Sequence, residues 1–203
     1  APSAVWIILI ASWVFEKGHR IRLAVNNAQW PMLWPTPHAM TTSLHLGGTN
    51  PSRLVLPVLP VATKTGRAFL APEADPEFPG YHDLPGETVS GYPEISKVVR
   101  NEREQTTRVI ATNSGGTDYP WGKLRFTERI VHRVADADPA HAGVEARYTI
   151  TVELPVRVLR WEGLLDFSSD EQNFNYHFTR RLLRDGELIR ERHWREAIPR
   201  DFQ

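Results

Sequence analysis

The sequence predicts an all-β protein, and three observations carry that expectation. Apolar residues alternate with polar ones at a period of two in several segments. Asp185-Gly186 is a strong hairpin signal, because a two-residue type I′ turn needs positive φ at both positions. No window of a dozen residues keeps an apolar stripe of 3.6-residue period between cap signals.

The elements follow in chain order. Val5 to Ile10 is an unbroken apolar run that reads as a buried strand. It is shorter than the roughly 20 residues a membrane helix needs, and no basic residue precedes it as in a secretory signal. A cytoplasmic protein with no membrane contact is therefore expected. Ile21, Leu23 and Val25 alternate after a Lys17-Gly18 turn, and Thr42, Leu44 and Leu46 alternate before Gly47-Gly48. Both segments read as half-buried strands. Leu54 to Val61 carries Pro57 and Pro60, which makes it an edge strand or a strand that leaves the sheet.

Residues 63–95 hold five prolines and four glycines and read as a connector draped over the surface. Beyond it, strands are expected over Lys97–Asn113, Trp121–Ala135, Ile150–Leu154, Val156–Phe167 and around Phe174, Tyr176 and Phe178. Centring a hairpin on Asp185-Gly186 pairs Arg184 with Glu187, Leu183 with Leu188, Leu182 with Ile189 and Arg180 with Glu191. It also sets Arg181 opposite Arg190, a mild conflict.

Composition divides the chain near residue 96. Residues 1–96 hold 12 of the 16 prolines and 13 charges, against 4 prolines and 35 charges in residues 97–203. We therefore expect three regions: 1–62, the connector 63–95, and a sheet region 96–203. Lys plus Arg and Asp plus Glu both number 24 in the 203 residues. That balance argues against nucleic-acid binding, which needs an excess of cations facing phosphates. The absence of cysteine excludes disulfides, thiolate metal sites and cysteine nucleophiles.

Catalytic signatures are missing as well. No Gly-x-Ser-x-Gly pentad occurs. Histidines 19, 38, 45, 82, 132, 141, 177 and 193 form no His-x-x-x-His pair and no tight carboxylate cluster, so no metal site is expected. Asp136-Ala137-Asp138-Pro139 lacks the glycine and distal glutamate of a calcium loop and reads as a turn. Gly47-Gly48 and Gly115-Gly116 open no helix and read as turns rather than phosphate cradles. No cofactor is implied. The chemistry-bearing candidate is the proline-fixed loop Gln29 to Pro37, which displays two indoles. Trp30, Pro31 and Trp34 are its candidate contact residues, toward a ligand or another domain. The competing expectation is that both indoles pack inward.

Several stretches together resemble one family. Val14-Phe15-Glu16-Lys17-Gly18-His19-Arg20-Ile21-Arg22-Leu23-Ala24-Val25 is similar to a strand of the Xaa-Pro dipeptidyl-peptidase and cocaine-esterase hydrolases, called CocE/NonD. Gln29-Trp30-Pro31, Trp34-Pro35-Thr36-Pro37, Met40-Thr41-Thr42, Gly47-Gly48 and Ser52-Arg53-Leu54-Val55-Leu56-Pro57-Val58 continue the resemblance in order. Arg192-His193-Trp194 and Ile198-Pro199-Arg200-Asp201 resemble the closing segment of long members. The resemblance implies the end of a jelly-roll β-sandwich followed by a β-rich tail of long antiparallel strands.

In that family a separate α/β-hydrolase domain carries the Ser-Asp-His machinery. The resemblance therefore transfers no catalytic residue to this chain, and the chain alone is expected to be inactive. Its implied partner is that catalytic domain, which it would brace while shaping substrate access. Unpartnered strand edges also predict self-association. The alternative is a stand-alone module binding carbohydrate or a hydrophobic small molecule, with Phe174, Tyr176 and Phe178 lining a concave face.

Overall fold

The computed structural model describes residues 16–26, 28–56, 73, 79–84, 86, 88–89 and 97–201. The expected strand at Val5–Ile10 and most of the segment from Leu54 to Val61 lie outside these residues. The fold is all-β. Among the described residues nine strands form one antiparallel sheet: β1 (His82–Leu84), β2 (Thr88–Val89), β3 (Lys97–Asn101), β4 (Thr106–Tyr119), β5 (Gly122–Ala135), β6 (Gly143–Leu154), β7 (Arg157–Ser169), β8 (Asn173–Arg184) and β9 (Glu187–Pro199). Strands β4 to β9 run up and down as neighbours, while β1, β2 and β3 pair in turn along the outer edge of β4. The described strands stay an open sheet ending at β9. No helix among the described residues is long and apolar enough to cross a membrane.

The period-two pattern sorts the side chains between two faces. Consecutive ladders read Phe126–Ile150–Trp161–Leu182 and Ile130–Ala146–Leu165–Phe178–Trp194 on one face. The reverse face carries rows such as Arg129–Arg147–Leu164–Thr179–His193 and Thr127–Thr149–Glu162–Arg181–Glu191. One face is thus apolar and aromatic, the other rich in charge and hydroxyls. Only Val109, Ala111, Ala140, Ala142 and Val144 are buried apolar residues among those described. They gather around the end of the sheet formed by β4, β5, β6 and the turn before β6. Ser169 locks that turn: its hydroxyl donates to the Ala140 carbonyl at 2.5 Å and accepts from the Ala142 amide at 3.2 Å.

Four local expectations are corrected. Residues 19–25 and 42–46 form no strand; Ile21, Leu23, Leu44 and Leu46 stand exposed. Alternation alone does not make a strand where no neighbour supplies a ladder. The span Lys97–Asn113 is two strands, because the chain turns at Glu102–Gln105, with Gln105 at φ 50°. Gly115 and Gly116 lie inside β4 rather than in a turn. At Gly115 a Cβ would stand 3.1 Å from the Phe126 ring, so the missing side chain makes room for that ring to lie across the strand.

The fourth correction is the hairpin register. Asp185 and Gly186 do form the turn, with φ of 54° and 87°. Arg184 pairs with Glu187 and Leu183 with Leu188 as expected. A bulge then shifts the ladder, so Leu182 faces Arg190, Arg181 faces Glu191 and Arg180 faces Arg192. The bulge replaces the Arg181–Arg190 conflict by an Arg181–Glu191 ion pair. We expect Gly186→Ala to cost about 1 kcal/mol, since an L side chain is strained at that φ. A lowered urea midpoint with an unchanged m-value checks it.

Candidate functional site

The site is built from the loop at residues 29–37 and the apolar face beneath it. Gln29 and Leu33 close the loop by two backbone hydrogen bonds, of 3.1 and 2.8 Å. The closed loop turns both indoles toward the sheet. Trp30 and Trp34 contact each other with centroids 5.1 Å apart. Trp34 meets Phe167 at 5.2 Å and Phe174 at 5.8 Å, both edge-on, and Phe167 stacks on Phe174 at 5.5 Å. Trp30 and His132 form a T-shaped pair at 6.0 Å. Tilted and edge-on geometries are those the ring quadrupoles favour.

Arg200 fastens this contact from the far end of β9. Its guanidinium donates to the carbonyls of Pro35 (2.6 Å), Asp170 (2.8 Å) and Ala140 (3.2 Å) and lies 4.8 Å from the centroid of the Phe174 ring. Asp170 shapes the neighbouring turn. Its carboxylate accepts from the Asn175 side chain (2.9 Å) and from the amides of Gln172 (2.8 Å) and Asn173 (2.7 Å), which hold its pKa below the ordinary carboxylate value.

The candidates Trp30 and Trp34 therefore meet the sheet region of the same chain. Pro31, between them, is half-buried. Met32 and Leu33 at the loop tip point outward, at 60% and 62% exposure.

His132 lies under Trp30. Burial lowers its pKa, and a hydrogen bond with the Val109 backbone opposes that only partly. The imidazole is thus held neutral in the fold while the unfolded chain titrates near 6.5. Below pH 6.5 the unfolded state binds more protons, so stability falls until the folded pKa is reached. Above 6.5 the contribution is complete. Acidifying from pH 7 to 5 should loosen the tryptophan loop, and His132→Phe should remove that dependence. Hydrogen exchange of residues 28–36 against pH reads the effect.

Beyond the loop the apolar face is open. Gly163 leaves a dip there, since no side chain stands between the Phe178 ring and Tyr148 at that position. Tyr148, Ile150, Trp161, Phe178 and Arg180 border a shallow groove of about 420 Å³ around it. A second depression joins Trp161 to Trp194 between Arg180, Arg190 and Arg192. Phe174, Tyr176 and Phe178 do share this face, but Phe174 is taken by the loop contact.

The charged face carries a constellation that the sequence patterns missed. The Thr179 hydroxyl stands 3.0 Å from His193 Nδ1, and His193 Nε2 stands 2.7 Å from a Glu191 carboxylate oxygen. Arg181 binds the same carboxylate and holds its pKa below the ordinary value, with His193 adding to the effect. Hydroxyl, imidazole and carboxylate are the parts of a nucleophilic triad, yet the setting lacks the rest. Thr179 sits in the middle of an inner strand, whose amides are committed to ladders with β7 and β9, so no donor pair faces a developing oxyanion. His193 is 57% exposed on an open face, so water reaches it freely. The bulge between Leu182 and Leu183 creates this row; the unbulged register would set Thr179 opposite Arg192.

Among the described residues no group of three or more His, Asp or Glu side chains is placed to hold a metal ion. Comparison with protein-family models, with curated proteins and with solved structures finds no match for this chain.

Proposed function

We propose that the chain is a cytoplasmic, non-catalytic, C-terminal accessory region of a CocE/NonD-type serine hydrolase, an Xaa-Pro dipeptidyl-peptidase or acyl esterase. It braces the catalytic α/β-hydrolase domain and shapes access to its substrate cleft. The observation that supports this most is the uncovered apolar face. Tyr148 and Trp194 are each 39% exposed there, beside Ile150, Trp161 and Phe178. A sheet with one apolar face ordinarily buries it against another layer. Arg180, Arg190 and Arg192 rim that face, which suits a partner surface carrying carboxylates. The sequence resemblance supplies the identity of the partner.

The test is the coding sequence upstream of this chain and the domain it specifies. The reading expects a Gly-x-Ser-x-Gly pentad in the same frame. That domain, produced separately, should bind the chain and protect its indole fluorescence from acrylamide, with the protection lost in the Trp161→Phe, Trp194→Phe double variant. An upstream frame without the pentad, or a domain that leaves quenching unchanged, contradicts the proposal.

The groove at Gly163 favours a second reading, a module for a sugar ring or apolar small molecule stacked on Trp161. Titration with oligosaccharides while following tryptophan fluorescence separates the two; a flat response leaves the accessory reading.

A further inference from the structure

The two long edges of the sheet are treated differently. The outer edge of β4 is paired by β3 along Thr106–Ile110, by β2 at Thr112–Asn113 and by β1 along Gly116–Asp118. The outer edge of β9 pairs with no described strand over its 13 residues. An open edge that long is a template for another strand, and natural sheets manage such edges with charge. The charges on β9 do more than repel, because their order is self-complementary.

We propose that β9 pairs antiparallel with β9 of a second copy of this chain, about a two-fold axis at His193. An antiparallel pair of identical edges has its dyad perpendicular to the sheet, so each residue must face one from the same side. Only registers that oppose residues of equal parity satisfy this within Arg190–Glu196. With His193 opposite itself, Arg190 faces Glu196 of the partner copy, Glu191 faces Arg195 and Arg192 faces Trp194, each twice. The neighbouring registers are worse. Centring on Arg192 or on Arg195 opposes like charges at the dyad, and centring on Glu191 also opposes Arg190 to Arg192. Centring on Trp194 gains Arg192 to Glu196 but sets His193 against Arg195. The His193 register alone joins two distinct opposite-charge pairings with an arginine beside an indole and has no like-charge pair.

Geometry adds a consequence. Arg190, Arg192 and Trp194 of each copy share the apolar face, so pairing would run the two Trp161–Trp194 depressions together across the dyad. This inference is independent of the hydrolase reading.

The test uses the whole 203-residue chain, which has no cysteine of its own. Sedimentation equilibrium should show a monomer–dimer equilibrium. R190E should weaken dimerisation about tenfold or more, since two attractive pairs become two like-charge pairs, and E196R should do the same. The double variant R190E/E196R should recover the wild-type constant to within about threefold, because the pairs are restored in reverse. H193C should form an intersubunit disulfide in a glutathione buffer, since residues directly opposite lie about 4.5–5.5 Å apart at Cα, within the disulfide range. W194C, staggered from its own copy, should cross-link far more slowly. A monomer at every concentration overturns the proposal. So does association indifferent to R190E, a double variant no better than the singles, or cross-linking of W194C as fast as H193C.

Discussion

Arg200→Ala should destabilise the chain by about 2–4 kcal/mol, which is a large share of a marginal fold's total. The side chain is 7% exposed and donates to three carbonyls belonging to three separate segments: the 29–37 loop, the β5–β6 turn and the β7–β8 turn. Removing it leaves the Pro35, Ala140 and Asp170 carbonyls without that donor and uncovers the Phe174 ring. Arg200→Lys should recover a minority of the loss. An ammonium keeps the charge and one or two of the bonds, but it cannot present the planar fork that spans Pro35 and Asp170 together. Urea unfolding measures the cost. Hydrogen exchange locates it, with faster exchange at residues 29–37 and 138–142 than at the centre of β6.

Trp34→Ala should cost about 2–3 kcal/mol, less than a fully buried tryptophan because the indole is half-buried. Trp34 is the ring that touches Trp30, Phe167 and Phe174 at once, so its loss detaches the loop rather than merely opening a cavity. The expected signature is a stable sheet with a freed loop. Protease should then cut near Met32 and Leu33 while β5 to β8 keep slow exchange. Trp34→Phe should retain most of the contact. Equal loosening of loop and sheet in Trp34→Ala would mean that the indoles belong to the sheet's own core rather than to a docked segment.

The long strands were legible because period two, short turns and the Asp185-Gly186 signal all point the same way. β5 to β8 follow their alternation closely, and Asp136–Pro139 falls in the turn between β5 and β6. What the pattern does not contain is the pairing itself. Ile21, Leu23 and Val25 alternate as cleanly as any strand, yet they stand exposed outside the sheet. A single residue of slip matters equally. The bulge between Leu182 and Leu183 turns an expected Arg181–Arg190 conflict into the Arg181–Glu191 pair and brings Thr179 to His193. No local propensity at Leu188-Ile189 announces it, and cross-strand charge does not decide it, because the same shift sets Arg180 opposite Arg192 in place of Glu191. The loop tryptophans were visible as an unusual pair, but their partners Phe167, Phe174 and His132 lie about a hundred residues on or more, and only the folded sheet shows that they meet.

The central proposal is that this chain holds no bond-breaking apparatus and that its strands serve as scaffold. Turnover by the purified chain tests it most directly, with Xaa-Pro-4-nitroanilides and short acyl esters as substrates. The account predicts rates at the buffer background for wild type, Thr179→Ala and His193→Ala alike. Hydrolysis that persists through repurification and vanishes in Thr179→Ala would contradict it, because the exposed hydroxyl–imidazole–carboxylate row would then be a working site.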